Sequence, residues 1–124
     1  MGRYEAYARL SLGLAFQLAG ELASAEDELQ RARALFDQSG DVGPHAVAEG
    51  LLCLIQRERG DDFEPLRRQA LQRVDGLDEE AAARSVHVLC GVEPPGPTRD
   101  SYDWMAAKAV EAWTARSQTA PGSS

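Results

Sequence analysis

The residues that could carry chemistry are few and scattered. His45 and His87 are the only histidines, and neither belongs to an HExxH or similar ligand pair. Flanked by Val86 and Val88, His87 reads as a helix-packing residue rather than a base. Cys53 and Cys90 lie far apart with no CxxC, so neither a zinc ribbon nor a redox motif is expected; they read as small buried residues. The acidic runs Glu26-Asp27-Glu28 and Asp78-Glu79-Glu80 could pass for catalytic carboxylates. Negative charge favours the first turn of a helix, which accounts for both runs without catalysis. No GxGxxG, Walker or GxSxG pattern occurs. The sequence therefore predicts no catalytic residue, no metal site and no cofactor. A small-molecule or enzymatic site between helices would have to draw on His87, Arg84 or Trp104. Trp104 is also the candidate contact aromatic, since tryptophan is enriched at binding hot spots.

The chain has 124 residues, 44% apolar and 27% charged. That suits one domain able to bury about two thirds of its unfolded surface. Its net charge of -7 repels phosphate backbones and anionic lipid, which disfavours direct contact with nucleic acid or membrane. The amino-terminal stretch lacks an apolar signal core, and no apolar run approaches the roughly 20 residues of a membrane span. A cytoplasmic location is the expectation. Arg greatly outnumbers Lys, and Ala and Gly are plentiful, as in proteins from GC-rich genomes.

The elements that must position these residues are helices. Tyr7, Leu10, Leu14 and Leu18 recur at helical spacing in the first, and Ala25, Leu29, Ala32 and Phe36 in the second. Val47, Leu51, Leu54 and Ile55 mark a third helix with Pro44 in its first turn. Leu66, Ala70, Leu71 and Val74 mark a fourth, capped by Asp62. A fifth opens at Asp78 and ends near Cys90. After a Pro-rich break a sixth, capped by Asp100 or Ser101, runs to about Arg116 with Tyr102, Met105, Ala109, Val110 and Trp113 on one face. Gly20, Gly40, Gly60 and Gly76 punctuate the first four. Residues 117-124 read as a disordered polar tail.

Leu12, Gly13, Phe16, Gly20, Ala25, Leu29 and Ala32 fall in the order and register of a tetratricopeptide repeat, which this stretch resembles. Leu52, Cys53 and Gly60 repeat part of that pattern. Gln56 stands where an aromatic belongs, Pro65 where Ala belongs, and Ala70 is one position out of register. This second unit looks like the longer repeats of bacterial regulators and signalling proteins. The resemblance implies an all-α fold of antiparallel helix pairs stacked as a short right-handed solenoid. It gives one domain over 1-116, with a clear repeat at 5-38, a degenerate one at 44-75 and a capping pair at 78-116. It also implies a scaffolding or regulatory module that binds a protein or peptide in a concave groove. Carried over, the groove positions are Tyr7, Leu10, Leu14, Gln17, Val47, Gly50, Leu54 and Arg57. The alternatives are a self-associating module, as a homodimer, or a secretion-type chaperone that holds unfolded substrates.

Overall fold

A computed structural model describes residues 2-119, and these form six α-helices with no strand among them. They are α1 (Gly2–Leu18), α2 (Leu22–Ser39), α3 (Val42–Arg59), α4 (Glu64–Val74), α5 (Glu80–Leu89) and α6 (Ser101–Thr119). Residues 117-119 continue α6 instead of opening a tail, and the rest of the expected tail lies outside the described residues.

The first three helices end alike. Gly20, Gly40 and Gly60 all take left-handed backbone angles, with φ of 80°, 74° and 80°. In each case the amide beyond the glycine donates to a carbonyl of the last turn: Glu21 to Phe16, Asp41 to Phe36, Asp61 to Gln56. This closes the orphan carbonyls and reverses the chain within two to four residues. α2, α3 and α5 start without a side-chain cap, and the cap residue of α4 is Phe63 rather than the expected Asp62, which instead sits one residue earlier; among the described helix starts, side-chain acceptors support only those of α4 and α6. The Asp62 carboxylate accepts from the Glu64 amide at 3.2 Å, and that of Asp100 from the Asp103 amide at 2.9 Å.

Close approach of α1 to α2 depends on small residues. Gly13, Ala25 and Ala32 are buried between them, and Leu29 and Phe36 fill the remaining space with no exposure. A Cβ at Gly13 would lie 2.6 Å from Leu29 Cγ, so the helices could not sit this close with a larger residue there.

The organising element is α3. Every residue from Gly43 to Ile55 is buried. α2 and α4 pack on it, and so do α5 and α6, while α6 also returns onto α1. The six helices thus form a bundle around α3, with one contiguous apolar core drawn from all of them. No helix among the described residues is long and apolar enough to cross a membrane.

Candidate functional site

The apolar run of α3 contains one acid. Glu49 has no exposed surface. An unpaired carboxylate there would be untenable, so partners must reach it from neighbouring helices. Arg73 of α4 donates through Nε to Oε1 at 2.6 Å, and Arg33 of α2 donates through Nη2 to Oε2 at 3.0 Å. Arg33 also donates to Gln69 Oε1 at 2.8 Å. One helical turn before Glu49, His45 places Nε2 3.8 Å from Oε2. Burial holds the His45 pKa below its ordinary value; Arg33 and Arg73 push the same way, against Glu49 and Asp37. This cluster ties α2, α3 and α4 together beneath a shallow concavity lined by Gln30, Asp37 and both arginines. Its charged groups are spent on one another. Nothing in the sequence pattern singled it out, although a lone Glu inside the apolar run from Ala46 to Ile55 was the available signal.

The residues expected to line an open groove are mostly enclosed. Leu10 and Leu14 lie in the core between helices, at 1% and 4% exposure. Gln17 is fully buried against α6, donating Nε2 to the Ala109 carbonyl at 3.0 Å, while its Oε1 has no partner among the described residues. Val47 and Leu54 are buried in α3, and a Cβ at Gly50 would meet Leu89 Cδ1 of α5 at 3.0 Å. Arg57 stays exposed, its guanidinium over the rings of Trp113 (4.7 Å) and Phe63 (5.6 Å). Tyr7 is partly exposed and edge-on to Phe36, and the Tyr102 hydroxyl is pushed upward by burial and by the neighbouring Tyr7. The cover over this face is α6. Arg116 anchors it, donating Nε and Nη2 to the Glu58 carboxylate at 2.5 and 2.9 Å and Nη2 to the Gln17 carbonyl at 2.9 Å.

What α6 leaves open is its own outer edge against α1. Trp104 is 45% exposed and Leu18 36%. With Leu14, Ala15 and Met105 they form an apolar valley of about 320 Å³, with Ser11 and Ser101 also lining it. Trp113, by contrast, packs against the core.

Cys53 and Cys90 are both buried free thiols, and the fold brings them together. Hydrogen bonding to Cys53 and burial drive the Cys90 thiol upward; the same bond lowers that of Cys53. Their separation in the sequence hid this contact. His87 lies on α5, partly buried, away from any metal-ligand grouping; no cluster of three His, Cys, Asp or Glu able to hold a metal occurs among the described residues.

No protein-family model, no curated protein and no solved structure matches the chain.

Proposed function

We propose that this chain is a protein-binding helical module built on tetratricopeptide-like pairs, acting by binding and not by catalysis. Its concave face is closed by α6, and its partner docks in the valley between α1 and α6. The observation that carries this reading is Trp104, a large aromatic left 45% exposed beside Leu18 on the one largely apolar valley of the α1 edge. Covering such a side chain releases transfer free energy, and central tryptophans dominate many interfaces. A shallow valley along two helices suits an amphipathic helix laid lengthwise. The chain's net charge of -7 favours a partner whose apolar stripe is flanked by basic residues.

Light scattering across a hundredfold concentration range comes first. A dimer that Trp104→Ala dissolves would assign the valley to a second copy and overturn the external partner. With a monomer, helical peptides selected from a display library should be basic and amphipathic. They should lose roughly 30-fold in affinity on Trp104→Ala, as expected for a hot spot of about 2 kcal/mol. Binders indifferent to that substitution would sink the proposal.

A further inference from the structure

Cys53 and Cys90 are the only cysteines of the chain, and the fold pairs what the sequence keeps apart. Cys53 lies in the buried run of α3, and Cys90 caps the end of α5. One turn before Cys53, Gly50 faces Leu89, the neighbour of Cys90. A Cβ at Gly50 would lie 3.2 Å from Leu89 Cβ, so α3 and the end of α5 run against each other with no side chain between them there. Cysteines whose Cα atoms are more than about 7 Å apart cannot be bridged, and so close an approach is what a disulfide requires. Cys90 sits at a helix end, just before Gly91 with its left-handed φ of 76°, where a small adjustment disturbs no helical turn.

The two sulfurs are not equivalent. Cys53 Sγ donates to the Phe63 carbonyl at 3.9 Å, and the Cys90 carbonyl accepts from Arg67 Nε at 3.1 Å, so the start of α4 rests on both residues. The Cys53 thiol is held below its ordinary value first by Cys90, with Arg67 and Arg57 acting the same way against burial. The Cys90 thiol is pushed up, first by Cys53 and then by burial. Cys53 is therefore the sulfur that ionises and attacks, and Cys90 the one that keeps its proton until it resolves the product. Burial selects the oxidant. At 2% and 4% exposure the pair admits a molecule little larger than water and shuts out a bulky disulfide.

We propose that Cys53 and Cys90 are a peroxide-sensitive dithiol whose oxidation to a disulfide staples the end of α5 to α3. The Cys53 thiolate attacks one oxygen of hydrogen peroxide; the O–O bond breaks, and the departing hydroxide leaves as water with the proton Cys53 has shed. Cys53 is then a sulfenic acid. Cys90 sulfur attacks Cys53 sulfur, the S–O bond breaks, and the hydroxide leaves as water with the Cys90 proton. Two thiols are oxidised by two electrons and one peroxide is reduced to two waters. The staple fixes the point from which the exposed segment at 91–99 departs.

The test is treatment of the whole folded chain with stoichiometric hydrogen peroxide, then alkylation in denaturant and intact-mass measurement. The product should be a monomer two hydrogens lighter that takes up no alkyl group, with a Cys53–Cys90 cross-link in its peptide map, and dithiothreitol should reverse it. Closing a loop of roughly 37 residues should raise the melting temperature by roughly 10 °C. Cys90→Ala should stop at a sulfenic acid on Cys53 that dimedone traps, and Cys53→Ala should leave Cys90 unoxidised. Should either variant fold poorly, the mass and melt of the wild-type chain decide the matter. A mass that does not change, a gain of oxygen without a cross-link, a disulfide between two chains, or a cross-linked monomer that melts lower than the dithiol overturns the inference.

Discussion

Replacing Glu49 with alanine removes the one charge that α3 buries, and its cost can be worked from the contacts. The carboxylate has no exposed surface, whereas the side chains of Arg33 and Arg73 are 26% and 36% exposed. Breaking a buried pair from one side costs about 3–5 kcal/mol, because the remaining charge is left unpaired. Here the stranded arginines lie near the surface and can turn toward water. The expected loss is therefore at the lower end, about 3 kcal/mol. At about 2.1 cal/mol/K of unfolding entropy per residue, a chain of 124 residues should melt about 12 °C lower. Thermal melts followed by circular dichroism, with urea titration for the free energy, measure this. Arg73→Ala alone and the double substitution complete a cycle, and a coupling of about 1.5–3 kcal/mol is expected for a charged hydrogen bond of 2.6 Å. A loss below about 1 kcal/mol for Glu49→Ala, or single effects that add within about 0.5 kcal/mol, would show that the cluster does not hold α2 and α4 to α3.

Two further predictions concern the same core. His45 has its pKa held below the ordinary 6.5 by burial, so as pH falls below that value the unfolded chain takes up a proton that the folded chain refuses. Its contribution is whole above pH 6.5 and is lost on acidification, with a slope of up to about 1.4 kcal/mol per pH unit; urea titrations at pH 7.5, 6.5 and 5.5 should show wild type weakening more steeply than His45→Gln, and equal slopes would contradict the assignment. Gly13→Ala forces a Cβ to within 2.7 Å of Leu29 Cδ2 in a fully buried setting; overpacking of about 1–3 kcal/mol offsets or exceeds the gain in helix propensity of about 1 kcal/mol, so a net loss of up to about 2 kcal/mol is expected, and a more stable variant would mean that α1 and α2 can separate cheaply.

The helices were legible because their signals are local. Apolar residues at spacings of three and four, and glycines that must adopt positive φ, are read from a window of one or two turns. The long-range contacts were not. Arg33, Glu49 and Arg73 sit on three different helices, and each looks like an ordinary charge in its own window. The meeting of Cys53 with Cys90 depends on how α5 lies across α3, which no spacing encodes.

One long-range consequence was nevertheless written into α3. Val47, Leu51 and Leu54 point one way around that helix, while Leu52, Cys53 and Ile55 fill the others, so the helix is apolar on every side. Such a helix must be enclosed on every side. A groove floored by Val47, Gly50 and Leu54 would leave one of those sides in water, and the chain supplies α5 and α6 to cover it. That cover has a cost of its own. α6 must also present an outer face, and α1, already committed to α2 on one flank, cannot shield all of it. Trp104 and Leu18 are where apolar surface emerges along the α1–α6 edge, as Leu12, Val42 and Val92 do elsewhere. The closure of α3 and the exposure of Trp104 are therefore one structural decision, and under the proposed function the apolar foothold for a partner is on α6 and not on α3.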